Sequence, residues 1–192
     1  METIMSELYA QGFALWLDDL ATEPLPGGVA AAAVAAAMGA ALCAKAARIT
    51  LERQTLTDIV QAKLEDVYEQ AQVQQAALLR LAGADEAAYR ALMDVQALAT
   101  QQPERNQAWQ AATEVPIRIA EACRSLLDEV SALESACRRG VRVDYEIGVW
   151  LLEIGLLAGQ RAAQANLRSW GDAPEARWLR LRLDALQEGD LD

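Results

Sequence analysis

The sequence predicts an all-α protein, a single-domain bundle of six to seven helices that covers residues 1–192. Three observations predict this class. Apolar residues recur at helical spacing along most of the chain, no stretch alternates as a strand does, and no hairpin turn signal occurs. Hydrophobic residues form 53% of the chain, but many of them are Ala. The core is therefore expected to depend on close approach between helices.

Three helices are predicted in the first half of the chain, over about residues 3–22, 28–53 and 57–83. The first carries Phe13, Leu17 and Leu20 on one face, and two prolines follow it and end it. The second consists almost wholly of small residues. The third begins at the capping pair Thr57-Asp58.

The second half is predicted to contain helices over about residues 85–102, 104–139, 143–170 and 174–186. Asp85 follows a Gly-Ala pair, which is typical of a helix start, and Gly140 ends the next helix. Gly148, Gly155 and Gly159 lie near one face of the following helix. Small residues allow two backbones to come close, so this helix is expected to pack beside the Ala-rich second helix. The last segment is amphipathic.

Composition restricts the classes of partner and of chemistry. A net charge of −11 argues against nucleic acid and against anionic membranes. The N-terminus lacks a basic region typical of a signal peptide, and the uncharged run 29–44 is shorter than the ~20 residues of a membrane span. Three cysteines without CxxC spacing fit a reducing, cytoplasmic location. Because the chain has no histidine, imidazole bases and His-ligated zinc are excluded, and no metal site is expected.

The first candidate binding feature is the pair Gly27-Gly28 at the start of the Ala-rich helix. Two glycines allow a tight turn, and a helix N-terminus offers free N–H groups to an anion or a carbonyl oxygen. The alternative is a plain turn before a tightly packed helix, which is the commoner meaning of a lone glycine pair.

Several segments then occur in a recognisable order: Leu17-Asp18-Asp19-Leu20-Ala21, Pro24-x-Pro26-Gly27-Gly28, Ala47-Arg48-Ile49-Thr50, Asp85-Glu86-Ala87-Ala88-Tyr89, Ala112-Thr113-Glu114-Val115-Pro116-Ile117, and Val143-Asp144 with Ile147-Gly148. This order, over about residues 10–170, resembles the formiminotetrahydrofolate cyclodeaminase / methenyltetrahydrofolate cyclohydrolase family. The loop of that family reads Pro-Gly-Gly-Gly-Ser, whereas Val29 and Ala30 replace its third Gly and its Ser here. The basic cluster of the family is reduced to Glu52-Arg53-Gln54.

The resemblance implies a homodimer that binds a tetrahydrofolate derivative as substrate and uses no cofactor. The long apolar helices and five Trp also suggest self-association. The expected reaction is hydrolysis of the methenyl bridge of 5,10-methenyltetrahydrofolate, or cyclodeamination of formiminotetrahydrofolate; no residue distinguishes the two. The altered loop and basic cluster favour an alternative, a non-catalytic relative that serves as a helical binding or scaffold dimer.

Hydrolysis of such a bridge needs a carboxylate that positions and deprotonates water. The family match makes Asp144 the first candidate, although an acidic residue at a helix start is also favoured by the macrodipole alone. Asp85 is the second candidate, with Tyr89 one turn later as a substrate-binding residue. On one straight helix Asp144 and Asn166 are about 33 Å apart, so they cannot serve one site within one subunit.

Substrate binding is also assigned to Gly27, Gly28, Lys45 and Arg48. Lys45 and Arg48 could meet folate carboxylates, or could simply be cations favoured at a helix C-terminus. The densest basic group in this acidic chain consists of Arg138, Arg139 and Arg142. These arginines either attract an anionic tail or form a solvated surface.

Overall fold

The computed structural model describes residues 2–52, 56–97 and 102–188, with side chains from residue 11 to residue 187 within those ranges. All regular structure in these ranges is helical, which confirms the all-α prediction. The seven helices are α1 (Glu2–Thr22), α2 (Gly28–Leu51), α3 (Asp58–Ala97), α4 (Gln102–Val130), α5 (Leu133–Ala136), α6 (Arg142–Trp170) and α7 (Ala176–Glu188). A 3-10 turn, Arg139–Val141, precedes α6.

The predicted break around Gly83 is wrong, because α3 continues without interruption from Asp58 to Ala97. A glycine in a helix interior costs only ~1 kcal/mol relative to Ala. Burial of Leu78, Leu81 and Ala88 on both sides of the glycine favours one packed helix. Asp85 therefore lies inside a helix, and its interpretation as a helix start is also wrong.

The helix predicted over residues 104–139 ends early, at Val130. The hydroxyl of Ser131 donates a hydrogen bond to the Asp128 carbonyl oxygen at 2.6 Å. Such a bond competes with the helical backbone ladder, which accounts for the end of α4 at this point. The short helix α5 and the 3-10 turn then lead into α6.

The centre of the fold is the contact of α2 with α6, as the glycine spacing predicts. A Cβ atom on Gly39 would lie 2.6 Å from the Gly148 carbonyl oxygen, and one on Gly155 would lie 2.6 Å from the Ala36 Cβ. The two helices are therefore antiparallel and their backbones are in contact. By length and composition α2 could cross a membrane, but its Ala-rich face is buried against α3 and α6.

Helix α1 stands apart from this core. None of its side chains from residue 11 to residue 22 is buried. Phe13 stacks on Trp16 with ring centroids 5.9 Å apart, while Phe13, Leu15 and Leu17 are all exposed. The predicted apolar face of α1 is thus real, but the described part of the chain does not cover it.

Helix α7 packs against α4 and α6. Its Arg182 forms a two-pronged ion pair with Glu121 of α4, in which Nε and Nη2 donate to the two carboxylate oxygens at 2.8 and 2.6 Å. The inner face of α7 carries three buried leucines, Leu179, Leu183 and Leu186. This helix closes the outer side of the bundle.

Candidate functional site

A cavity of about 290 Å³ lies at the N-terminus of α2. The loop before α2 forms one wall, and α3, α4 and α6 form the others. The lining residues are Pro24, Leu25, Gly27, Gly28, Val29, Asp85, Tyr89, Ala112, Pro116, Ala162 and Asn166. A mostly apolar or small lining with a few convergent polar side chains is typical of a small-molecule site.

The Asp85 carboxylate is the charged side chain of this cavity. Burial raises its pKa to about 6, and the negative charge of Glu86 acts in the same direction. The backbone N–H of Ala30, in the first turn of α2, donates a hydrogen bond to the carboxylate and partly opposes the rise. Asp85 is therefore ionised at neutral pH but is far more basic than an ordinary aspartate.

The structure does not place Gly27 and Gly28 in the tight turn that the sequence predicts. Gly27 has φ −101° and ψ −178°, which is extended backbone that any residue adopts. A Cβ atom added to Gly27 or Gly28 would meet nothing within 4 Å. The two glycines leave open space at the cavity rather than permit a strained turn. At Ala30, the helix N-terminus already binds an anion, the carboxylate of Asp85.

Two further polar side chains face the same cavity. Tyr89 lies one turn after Asp85 on α3 and is 44% exposed. Asn166 of α6 donates from Nδ2 to the Ala112 carbonyl oxygen at 2.7 Å, which orients its amide. The sequence predicts that Asn166 and Asp144 belong to different sites, but it does not predict that Asn166 lines the same cavity as Asp85. That pairing arises from the packing of α3 and α6 around the cavity.

Asp144 and Lys45 form a second cluster away from the cavity. Lys45 Nζ lies 2.8 Å from Asp144 Oδ2, and the neighbouring Arg48 pairs with Glu52 at 3.2 Å. Lys45 is about 25 Å from Gly28 along α2, at ~1.5 Å per residue. The seven predicted site residues thus fall into two groups. Gly27, Gly28, Asp85 and Tyr89 line the cavity, whereas Lys45, Arg48 and Asp144 lie at the opposite end of α2.

The basic loop, here defined as Arg138, Arg139 and Arg142, lies at the same end as Lys45. Thr50, which is buried near the end of α2, accepts a hydrogen bond from the Arg138 backbone N–H at 3.1 Å. The Thr50 hydroxyl donates in turn to the Ala46 carbonyl oxygen at 2.7 Å. The bond from the Arg138 N–H to Thr50 anchors the start of the loop, while the side chains of Arg138 and Arg139 remain exposed.

Other nucleophiles and metal ligands are poorly placed for chemistry. Within the described ranges, no group of three or more His, Cys, Asp or Glu side chains could hold a metal ion. Burial raises the pKa of the Cys43 and Cys123 thiols to about 12, so both are protonated at neutral pH. The chemistry of the cavity therefore rests on Asp85.

Comparisons with known proteins agree with this fold. The family model described as formiminotransferase-cyclodeaminase matches residues 14–185. A methenyltetrahydrofolate cyclohydrolase from Methylorubrum extorquens is 29% identical over 161 residues, which cover 79% of this chain and 75% of that protein. The crystal structure of formiminotetrahydrofolate cyclodeaminase from Thermotoga maritima shares the fold, with a TM-score of 0.78 and 22% identity over 87% of this chain and 83% of that chain. The chain therefore belongs to the formiminotransferase-cyclodeaminase family, as the order of its motifs predicts.

Proposed function

We propose that this chain is an enzyme of folate one-carbon chemistry that hydrolyses the methenyl bridge of 5,10-methenyltetrahydrofolate in the cavity at α2. The observation that carries this proposal is the Asp85 carboxylate, whose raised pKa of about 6 suits a general base. The similarity to a methenyltetrahydrofolate cyclohydrolase supports hydrolysis. Cyclodeamination of formiminotetrahydrofolate is the second candidate, because the family name includes that reaction.

The reaction begins with water beside the cationic methenyl carbon. Asp85 accepts a proton from this water while the oxygen forms a bond to the carbon, which gives a neutral hydroxyl adduct. One of the two C–N bonds then breaks; the protonated Asp85 returns its proton to the departing nitrogen, and the hydroxyl loses its proton to become the formyl oxygen. One proton is released to solvent overall. The carboxylate also stabilises the bound cation electrostatically.

The other cavity residues bind rather than react. The open space at Gly27 and Gly28 admits a flat ring system against the backbone. The Tyr89 hydroxyl and the Asn166 amide can exchange hydrogen bonds with the polar edge of a pterin, since both line the cavity with Asp85. Pro116 and Leu25 supply apolar surface that limits access of bulk water.

The proposal is tested by the loss of 5,10-methenyltetrahydrofolate absorbance with wild type, Asp85→Asn, Asp144→Asn and a protein-free blank. Asp85→Asn is expected to lower kcat by about 100-fold or more, because it removes the general base. Asp144→Asn should stay within about tenfold of wild type, since it breaks only a half-exposed ion pair. The reverse pattern would move the carboxylate to Asp144. No loss above the blank with wild type would refute the hydrolase.

Self-association is the second part of the proposal. Five apolar residues of α6 form an exposed line, the α6 stripe: Val143, Ile147, Trp150, Ile154 and Leu157, with exposures from 38% to 65%. Such side chains present on the order of 500 Å² of apolar surface, against ~800 Å² buried per partner in a standard interface. We propose a homodimer that buries the stripe.

We also propose a reducing location, a small-molecule partner and a reaction without a cofactor. Hydrolysis of an activated cation needs neither a metal nor a redox cofactor, and none is proposed. The three cysteines are unpaired and buried, which supports a reducing, cytoplasmic location. A net charge of −11 supports a small-molecule substrate over nucleic acid or an anionic membrane as partner.

A further inference from the structure

Pro116 interrupts the backbone hydrogen bonds of α4 at the wall of the cavity. In an α-helix each carbonyl oxygen accepts a hydrogen bond from the N–H four residues later, and proline has no N–H. The Ala112 carbonyl oxygen therefore loses its helical donor, although Ala112 is only 4% exposed. A buried carbonyl without a partner is costly, so a donor from elsewhere in the fold is favoured at this point.

Asn166 of α6 supplies that donor. Its Nδ2 lies 2.7 Å from the Ala112 carbonyl oxygen. Because a carbonyl oxygen only accepts hydrogen bonds, this contact determines which end of the asparagine amide faces α4. The amide oxygen, Oδ1, is at the other end of the group. No backbone or side-chain group in the described part of the chain donates a hydrogen bond to Oδ1. This oxygen is therefore the acceptor that Asn166 retains for a ligand.

A ligand that fills the cavity contacts the wall to which Asn166 belongs. Asn166 is half-buried and lines the cavity with Ala112 and Pro116. The cavity measures only about 290 Å³, so a ring system inside it displaces water from the polar atoms of the wall. An acceptor that loses its water and gains no donor raises the free energy of the complex, whereas a ligand N–H restores the hydrogen bond. The wall therefore favours a ligand with a donor on the edge that faces α6.

We infer that Asn166 is a specificity-determining residue, whose Oδ1 accepts a hydrogen bond from an N–H group on the ring edge of the bound folate. This inference rests on the proposed folate substrate. The pterin ring of a tetrahydrofolate carries N–H donors on its edge, and the methenyl and formimino derivatives share them. Asn166 thus binds the ring, while Asp85 acts on the one-carbon bridge. Pro116 determines the orientation of the amide, since it leaves the Ala112 carbonyl oxygen available to Nδ2.

Asn166 also has a purely structural alternative, in which it does no more than satisfy the Ala112 carbonyl. Pro116→Ala separates the two roles, because it restores the helical N–H to that carbonyl. A carbonyl oxygen can accept two hydrogen bonds, so the Asn166 amide keeps its place in this background. Asn166→Leu removes both polar atoms of the amide at similar size. It is therefore made in wild type and in the Pro116→Ala background.

Thermal unfolding measures the structural part of the role. In wild type, Asn166→Leu should lower Tm by about 2–10 °C, because it leaves the buried Ala112 carbonyl without a donor. In the Pro116→Ala background the decrease should be much smaller, since the backbone then supplies the donor. Equal decreases in both backgrounds would overturn the assigned connection between Pro116 and Asn166.

Binding measures the specificity part and needs no turnover. Calorimetric titration with 5-formyltetrahydrofolate, a stable derivative with the same N–H groups on its ring edge, gives Kd for each variant. Asn166→Leu should raise Kd at least about tenfold in both backgrounds, which corresponds to the loss of one hydrogen bond in a desolvated site. Gln164→Leu is the matched control, because it makes a similar exchange at an exposed position of α6 outside the cavity lining. It should leave Kd and Tm unchanged.

The outcomes distinguish this inference from the proposed function. A rise in Kd that occurs in wild type but not in the Pro116→Ala background would overturn the inference, because Asn166 would then act only through the Ala112 carbonyl. Wild-type affinity in Asn166→Leu would also overturn it and would leave the folate proposal intact. Binding of the probe without loss of methenyl absorbance would refute the hydrolase alone. A wild-type protein that binds no folate would refute both.

Discussion

The Asp85 carboxylate experiences two opposing influences of the fold. Burial in α3 raises its pKa, whereas the Ala30 N–H at the positive end of α2 stabilises the charged form. The result, about 6, keeps the group ionised at pH 7 and still basic enough to accept a proton from water. A bound cationic substrate would favour the carboxylate further, so the pKa in the substrate complex should be lower than in the free enzyme.

The raised pKa of Asp85 predicts the pH dependence of turnover. The value of kcat/KM should rise with pH through a pKa of about 6 and then level off, because only ionised Asp85 accepts the proton. The break in kcat itself should lie at lower pH. Initial rates of methenyl loss, corrected for the blank at each pH, provide both profiles. A break near 6 that persists in the residual activity of Asp85→Asn would assign the titration to another group.

The same pKa shift predicts the direction in which stability depends on pH. Folded Asp85 holds its proton more tightly than it does in the unfolded chain, where an aspartate has a pKa near ~3.9. Its contribution to the free energy of unfolding therefore decreases as pH rises from about 4 to about 6, and it is lowest above that range. Asp85→Asn should abolish this part of the pH dependence.

At the scale of single elements, helical periodicity was sufficient to predict that helices exist but not where they end. Gly83 and Asp85 have the local chemistry of a helix boundary, yet buried neighbours on both sides hold α3 continuous. Conversely, α4 ends at Val130 with a local Ser131 hydrogen bond, ten residues before Gly140, the glycine that predicted the end. Tertiary packing and side-chain hydrogen bonds decided both boundaries.

Replacement of glycine by alanine is expected to change the free energy of unfolding in opposite directions at two sites. The first site, Gly159, lies in the close contact of α6 with α4. A Cβ atom on Gly159 would lie 2.5 Å from the Pro116 carbonyl oxygen and 3.0 Å from the Ala120 Cβ. Gly159→Ala should therefore lower the free energy of unfolding by ~1–3 kcal/mol, in spite of its better helix propensity. Gly83→Ala has open space and should raise it by about 0.5–1 kcal/mol. Urea denaturation of both variants checks the pair; equal changes would contradict the close packing.

At the scale of the whole molecule, the sequence identified plausible site residues but could not group them. Spacing along one helix gives distances within that helix, which is why Asp144 and Asn166 could be separated in advance. The neighbourhood of Asp85, Ala30 and Asn166 depends on how three helices pack, and the linear pattern does not contain that information. The departure at Val29 is also interpretable only in the structure, where it becomes part of the cavity wall.

The exposed α6 stripe makes the proposed dimer dependent on one side chain at its centre. Trp150→Glu would place a carboxylate in the middle of the stripe that the proposed dimer buries, so it should convert the dimer to a monomer in light scattering. It should also abolish the concentration dependence of Tm that a dimer shows. Trp178→Glu is the matched control, because Trp178 on α7 is 65% exposed against 60% for Trp150 and lies outside the stripe. If both variants remained dimeric, another surface would have to hold the copies together, and the uncovered apolar face of α1 would be the next to test.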